Sequence, residues 1–192
     1  MELKKLSEHI WYMTYEEKRD RPNLGYVKGD NWSLAIDAGH SDTHVNEFYA
    51  LLEKEGLPLP DLTVLTHWHW DHTFAMYAVH GLCLANKRTN EYLVEWKNKI
   101  EKEGPSEFLS ITESIREEYA GNKEVIVVPS DMVFEGEMTL DSGRNGRYTE
   151  RSARSLKRRK RDAKENLWIT EKSWEAHLIP KCLCMRRCVR AM

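Results

Sequence analysis

A short apolar strand that runs directly into a histidine-rich hexapeptide is the feature that most constrains this sequence. Residues 62–65 read LTVL, which predicts a buried β-strand, and residues 67–72 read HWHWDH. In an extended backbone alternate residues share a face, so His67, His69 and Asp71 are expected on one side and the two intervening tryptophans on the other. The tryptophans are expected to be core residues behind the loop.

The polar side chains of this segment are a suitable ligand set for Zn²⁺. His67 and His69 suit one ion, while Asp71 and His72 suit a second if the chain turns into a helix near Asp71. Two ions about 3.5–4 Å apart share a hydroxide and lower the pKa of water from about 15.7 towards 7, so the expected reaction is hydrolysis. A single histidine after a strand is usually a packing residue, but four such residues at this spacing favour a metal site.

The charge of the chain is divided sharply at Asp141. Residues 1–141 carry 14 Lys and Arg against 26 Asp and Glu, whereas residues 142–192 carry 15 against 5. Between residues 142 and 166 only four side chains are hydrophobic, too few to offset the entropy cost of ordering the segment. We therefore expect an acidic folded body followed by a basic tail that is poorly ordered or only locally structured, with a short helix at 170–179.

The body alternates predicted strands and helices. Aromatic and β-branched runs at 9–15, 25–28 and 32–37 predict an antiparallel meander. A helix is predicted over 43–55, with Ser41 and Asp42 as caps and Gly56 as the stop. Downstream we predict strands at 82–85 and 125–128, helices at 87–103 and 105–119, and a hairpin from 133 to 140. This order predicts a mixed α/β layer architecture without an internal repeat.

The hexapeptide His67-Trp68-His69-Trp70-Asp71-His72 resembles the His-x-His-x-Asp-His signature of the metallo-β-lactamase fold superfamily. The preceding strand, Thr66 and the stretch from Ile36 to Gly39, which resembles an earlier strand-end Asp-x-Gly of the family, support the resemblance. It covers about residues 8–141. The resemblance implies a zinc-dependent hydrolase acting on a lactam, thioester, phosphoester or related ester as its small-molecule substrate.

The resemblance also implies roles for individual residues. His67 and His69 would bind the first zinc, and Asp71 and His72 the second, with Asp71 as the catalytic residue that orients the attacking water. Asp37 would support the loop that carries the ligands, although a plain turn residue at the end of a strand is an equally good interpretation. His40 and His44 match no ligand position of the family and are expected to face solvent or to cap a helix.

The sequence departs from the family in its second half, where members supply a loop histidine, a bridging aspartate and a final histidine. No histidine lies between His80 and His177, and the bridging aspartate has no counterpart. We therefore hypothesise a truncated or frame-shifted member, with residues 1–141 as the N-terminal half of the fold and 142–192 as an unrelated tail. Such a half-fold would expose apolar surface and favour self-association, and its missing ligands would leave it inactive.

Two features of the tail have alternative interpretations. His177, Cys182, Cys184 and Cys188 are four potential zinc ligands, but their spacing is not that of paired Cys-x-x-Cys motifs, so incidental thiols are favoured. The basic run at 157–161 would attract phosphate backbones without reading sequence, yet it has no interleaved aromatic residues, so a solvated charge run is favoured over nucleic-acid binding. The competing function is thus a non-catalytic degenerate relative or a basic-tailed nucleic-acid-binding protein.

The sequence also excludes several classes of protein. No apolar run approaches the roughly 20 residues of a membrane-spanning helix and no secretory signal is evident, so a cytoplasmic location without membrane association is expected. Three of the four cysteines crowd the last eleven residues, which argues for reduced thiols. The absence of a phosphate-binding Gly-rich loop and of a Gly-x-Ser-x-Gly motif argues against nucleotide-triphosphate and serine-hydrolase chemistry.

Overall fold

The computed structural model describes residues 1–121 and 123–143, together with the backbone of residues 167–169. A seven-stranded sheet forms the centre of the body, with its strands side by side in chain order. These strands are β1 (Leu3–Lys5), β2 (Ile10–Met13), β3 (Leu24–Lys28), β4 (Ser33–Ile36), β5 (Leu62–Val64), β6 (Leu82–Asn86) and β7 (Met132–Phe134).

The direction of pairing changes in the middle of this sheet. Strands β1 to β4 pair antiparallel, which confirms the predicted meander, whereas β4 to β7 pair parallel. A second, two-stranded sheet consists of β8 (Met138–Leu140) and β9 (Leu167–Ile169), which pair antiparallel. The mixed α/β architecture predicted from the sequence is therefore present.

Five α-helices and one 3-10 helix occur in the described part of the chain. They are α1 (Asp42–Lys54), α2 (Trp70–Thr73), the 3-10 helix Phe74–Ala78, α3 (Lys87–Glu103), α4 (Ser106–Ser110) and α5 (Glu113–Glu118). The N-cap of α1 is Ser41, whose hydroxyl accepts from the backbone N–H of His44, and that of α3 is Asn86. A capping side chain satisfies backbone donors that the first turn leaves without an intrahelical acceptor.

The two faces of the sheet bury different apolar clusters. On β6, Cys83 and Ala85 join the cluster formed with α3, α4 and α5, whereas Leu84 joins a cluster with Phe134 on the opposite side. The middle of that opposite face is buried, with the partly buried Met138 of β8 packed against it. Its margin is exposed: the exposed apolar side chains there include Leu82 and Met132.

The predicted helix at 105–119 is wrong, because this segment forms two short helices, α4 and α5. The break lies at Ile111 and Thr112. The hydroxyl of Thr112 accepts a hydrogen bond from the backbone N–H of Ile115 at 3.1 Å and so caps a new helix.

The predicted strand at 125–128 is also wrong, as is the hairpin from 133 to 140. Residues 125–128 form no strand in the part of the chain that the structure describes, although Val125 and Val127 are buried against the helical cluster. Strands β7 and β8 pair with β6 and β9 and not with each other. Strands β1 and β9 were not predicted, since their sequences are too short or too polar to show the alternation of apolar and polar residues that marks a strand.

Most of the predictions for the tail fall outside the described residues. These are the expectation that the tail is poorly ordered, the helix at 170–179, the basic run at 157–161 and the group of His177 with the last three cysteines. Of the helices in the described residues, none combines the length and the apolar composition needed to cross a lipid bilayer.

Candidate metal centre

Two neighbouring parallel strands deliver the candidate site to one edge of the sheet. Strand β4 ends at Ile36 and is followed by Asp37, while β5 ends at Val64 and runs through the buried Leu65 into the histidine segment. The backbone N–H of Asp37 donates to the carbonyl of Val64 at 2.9 Å, which extends the pairing by one step. Because both strands point the same way, the groups that follow them lie side by side.

The backbone of the histidine segment is a turn that ends in a helix. His69 is the N-cap of α2, so Asp71 and His72 occupy the first helical turn. The ring centroids of His67 and His69 are 4.6 Å apart and those of His67 and His72 are 4.2 Å apart. The structure thus brings together the three histidines predicted to act as ligands, and the expected helical turn at Asp71 brings His72 beside its neighbours.

Asp37 holds one of these imidazoles in a defined orientation. Its Oδ2 lies 2.7 Å from Nδ1 of His72, while its Oδ1 accepts from the backbone N–H of Thr66 at 2.7 Å and the Thr66 hydroxyl also donates to it. With Nδ1 of His72 as the donor, Nε2 is the nitrogen that can bind a metal, and it lies 3.4 Å from Oδ2 of Asp71. Asp37 therefore has the contacts of a residue that supports a ligand.

Burial shifts the pKa values of the side chains in this cluster. Burial and the neighbouring His72 lower the pKa of His67 to about 3, and the same two causes lower that of His69 to about 4. Burial raises the pKa of Asp71 to about 6. For Asp37, burial alone would raise the pKa, but the charge and hydrogen bond of His72 outweigh it and hold the pKa below its usual value. At neutral pH both shifted imidazoles are neutral, which is the form that binds metals.

The donor types fit a zinc ion, but the donor atoms are not set in a formed coordination group. Oδ1 of Asp71 is buried and makes no hydrogen bond to the described residues. However, the described residues contain no set of three or more His, Cys, Asp or Glu side chains with donors placed around a common point for a metal ion. Binding would therefore require the side chains of this cluster to adjust.

The two tryptophans of the segment differ in their surroundings. Trp70 packs against the buried helical cluster and meets Phe108 edge to face, as predicted for a core residue. Trp68 is only partly buried and stacks on Tyr92 of α3, with ring centroids 4.7 Å apart. It lies at the margin of the site, beside His69.

The prediction that His40 and His44 face solvent is wrong, because both are completely buried. The backbone N–H of His40 donates to Nδ1 of His44 at 3.2 Å, and Nδ1 of His40 lies 3.2 Å from the carbonyl of Arg19. His44 thus does act as a local cap, for a backbone N–H in the turn before α1. Burial lowers the pKa of His40 to about 4 and that of His44 well below its usual value.

A buried ion pair beside this turn was not predicted from the sequence. Arg21 and Glu118 are each 1% exposed and make two hydrogen bonds with each other. The two residues are 97 positions apart, and nothing in the local sequence around either one distinguishes them from surface charges. A signal could have come only from the position of Arg21 next to Pro22, at the end of a turn that leads into a buried strand.

Comparison with solved structures shows the fold. A mutant of the FEZ-1 metallo-β-lactamase from Legionella gormanii is 13% identical and matches 74% of the chain and 50% of its own length, with a TM-score of 0.50. DIM-1 metallo-β-lactamase exposed to ceftazidime is 22% identical, with coverages of 74% and 57% and a TM-score of 0.48. A metallo-β-lactamase from Hirschia baltica is 17% identical, with coverages of 73% and 56% and a TM-score of 0.46.

The chain therefore spans about half the length of the solved structures that it matches. No protein-family model matches the chain, and no curated protein sequence matches it. The order of strands, the turn into α2 and the likeness to the FEZ-1 mutant agree with the expectation from the hexapeptide: the chain has the metallo-β-lactamase fold.

Proposed function

We propose that this chain binds one or two zinc ions through His67, His69, Asp71 and His72 and that its chemistry is metal-dependent hydrolysis. The substrate class is an ester, thioester, lactam or phosphoester. The observation that carries the proposal is the convergence of three imidazole rings beside a buried carboxylate, with Asp37 fixing one of the rings.

The state of the side chains supports metal binding over a purely structural role. In a cluster that served only packing, a buried carboxylate oxygen would be expected to meet a protein donor. Here the pKa values of His67 and His69 lie far below neutrality, and Oδ1 of Asp71 is buried without a hydrogen bond to the described residues. These features are typical of a site that gains a positively charged ligand.

The residues have separate parts in the proposed reaction. His67, His69 and His72 offer neutral ring nitrogens, and Asp37 keeps the ring of His72 turned towards Asp71. A divalent ion held by these residues would supply Lewis-acid chemistry that makes water nucleophilic near neutral pH. Asp71, with one oxygen near His72 and the other without a protein partner in the described residues, can hold and orient the attacking water. The stack of Trp68 on Tyr92 offers an apolar wall for a substrate beside His69.

The test is hydrolysis by the zinc-loaded full chain against a panel of nitrophenyl esters, thioesters, a chromogenic lactam and bis-nitrophenyl phosphate. We expect turnover of at least one class, loss of turnover on chelation, and recovery when zinc is restored. Asp71→Asn should lower kcat by at least tenfold, because removal of one charged catalytic group typically costs 10²–10⁴-fold.

His80→Gln is the matched control, because His80 is exposed and lies outside the ring cluster. It should leave both zinc binding and turnover unchanged. Zinc binding without turnover of any substrate would support a degenerate, non-catalytic relative instead. Salt-sensitive binding to arbitrary DNA or RNA, with no zinc bound, would favour the nucleic-acid-binding alternative.

A further inference from the structure

The carboxylate of Glu118 lies at the centre of a buried polar network behind the candidate site. Its two oxygens accept from Nε of Arg21 at 2.8 Å and from Nη2 of the same guanidinium at 2.7 Å. The hydroxyl of Ser41 donates a hydrogen bond to the same carboxylate. Burial alone would raise the pKa of Glu118, but the hydrogen bonds of Arg21 and Ser41 outweigh it and keep the pKa below its usual value.

This network joins three parts of the chain that are far apart in sequence. Glu118 is the last residue of α5, Arg21 ends the turn between β2 and β3, and Ser41 is the N-cap of α1. A buried ion pair is a weak source of net stability, because the cost of removing both charges from water offsets most of their attraction. The positions in which the pair holds the neighbouring groups are therefore more informative than its contribution to stability.

The groups held by α5 belong to the turn that leads to the candidate metal centre. Besides the bond between Ser41 and Glu118, the hydroxyl of Tyr119 donates to the carbonyl of His40 at 2.8 Å. His40 and Ser41 therefore have fixed positions relative to α5, and they end the five-residue turn at 37–41 that begins with Asp37.

The other end of this turn is bonded to the helix that carries the ligands. The backbone N–H of Ala38 donates to the carbonyl of His72 at 2.8 Å, and the carbonyl of Gly39 accepts from Ala75 at 3.2 Å. Asp37 itself has a φ of 67°, a left-handed conformation that a non-glycine residue keeps only where its surroundings impose it. The turn thus connects the network of Glu118 to the bond between Asp37 and His72.

We propose that Glu118 is a positioning residue of the metal centre. It acts through Ser41 and the turn at 37–41, and it holds Asp37 where that carboxylate fixes the ring of His72. The carboxylate of Glu118 is hydrogen-bonded to Arg21, Ser41 and Thr43, so its effect on the candidate ligands passes through the turn. The effect on metal affinity rests on the proposed function, whereas the effect on His72 can be measured without any metal.

The first test is NMR of the metal-free full chain labelled with ¹⁵N-histidine. In the wild type, the Nδ1–H of His72 should give a downfield signal that exchanges slowly with water, assigned by its absence in His72→Gln. Glu118→Gln should shift this signal and speed its exchange by at least tenfold. Co²⁺ affinity, followed by its visible absorption, should fall by about tenfold, in line with the loss of a group that orients a ligand.

Two further variants separate positioning from stability. The double variant Arg21→Met with Glu118→Met replaces the ion pair with apolar side chains, which should restore stability but not the His72 signal or the Co²⁺ affinity. Phe134→Ala, on β7 in the apolar cluster that contains no residue of the turn, serves as the control: it lowers the unfolding temperature and should leave both readouts unchanged.

The outcomes are distinguishable. If Glu118→Gln alters the His72 signal and Co²⁺ affinity no more than Phe134→Ala does, the positioning role is overturned. If the wild type binds no Co²⁺ but Glu118→Gln still releases the His72 signal, the proposed metal function fails while the positioning of His72 stands.

Discussion

Oδ2 of Asp37 and Nδ1 of His72 lie 2.7 Å apart, and both side chains are almost completely buried. This bond links the end of β4 to the first turn of α2, two elements that meet because β4 and β5 are parallel neighbours. It decides which nitrogen of His72 is available to a ligand. A hydrogen bond of this kind orients a metal-binding histidine and makes its other nitrogen more basic.

Asp37→Asn should weaken zinc binding by about 10- to 100-fold, because an amide oxygen is a weaker partner for Nδ1 than a carboxylate. Asparagine is the suitable replacement, since it tolerates the positive φ at this position better than alanine does. Competition with a chromophoric chelator measures the affinity. Asp61→Asn, which removes a charge from a carboxylate bonded to Ser33 at the other end of the strand, should leave the affinity unchanged.

Acid should destabilise the fold through the buried His40. Burial lowers its pKa to about 4 in the folded chain, against the ordinary value of 6.5 in the unfolded chain. Between these two pH values the unfolded state therefore binds a proton that the folded state does not. This contribution is lost as the pH falls from 6.5 to about 4, and at about 1.4 kcal/mol per pH unit it amounts to roughly 3 kcal/mol.

Urea unfolding at pH 7 and at pH 4.5 measures this effect. His40→Asn keeps an N–H that can donate to the carbonyl of Arg19 but cannot titrate in this range. The difference in unfolding free energy between the two pH values should therefore be smaller in His40→Asn than in the wild type. An equal difference in both proteins would show that His40 does not contribute to the pH dependence.

The helical cluster beside the site should depend on Phe108. This ring is completely buried and contacts Phe74, Trp96 and Tyr119. Phe108→Ala should lower the free energy of unfolding by about 3–5 kcal/mol, the usual cost of a large cavity. Val94→Ala, at a position that is 38% exposed on α3, should change it by less than about 1 kcal/mol. Chemical denaturation followed by tryptophan fluorescence provides both values.

The last strand of the large sheet should promote self-association. Val133 of β7 is 46% exposed, and among the described residues β7 pairs only with β6. Because an uncovered apolar edge strand favours pairing with another chain, Val133→Lys should shift the protein towards monomer in sedimentation velocity. Lys102→Arg, an exposed change on α3, is the control. If Val133→Lys leaves the distribution of monomer and oligomer unchanged, β7 is not the surface through which the chains associate.

Local sequence predicted the elements whose stability is local. Helix α3 begins and ends at the predicted residues, because Asn86 caps its start and Gly104 ends it with a positive φ. The prediction failed where the outcome depends on distant partners. Residues 125–128 have the composition of a strand but no strand partner in the described part of the chain, and β8 pairs with a strand that follows the basic segment.

The same distinction holds for the candidate site. The hexapeptide predicted the meeting of His67, His69 and His72, since their spacing and the adjoining strand fix it within six residues. It could not predict the burial of His40, because that depends on Glu118 and Tyr119, which lie almost eighty positions away. Side chains that complete a buried polar network become visible only when the elements that carry them have packed together.

Zinc titration of the metal-free full chain by isothermal calorimetry, with the double variant His67→Gln with His69→Gln as the reference, tests the metal centre most directly. One or two zinc ions should bind to each wild-type chain, with release of protons, and the double variant should lose the site that depends on these two rings. Equal zinc binding by the wild type and the double variant, or none by either, would contradict the assignment of this cluster as a metal centre.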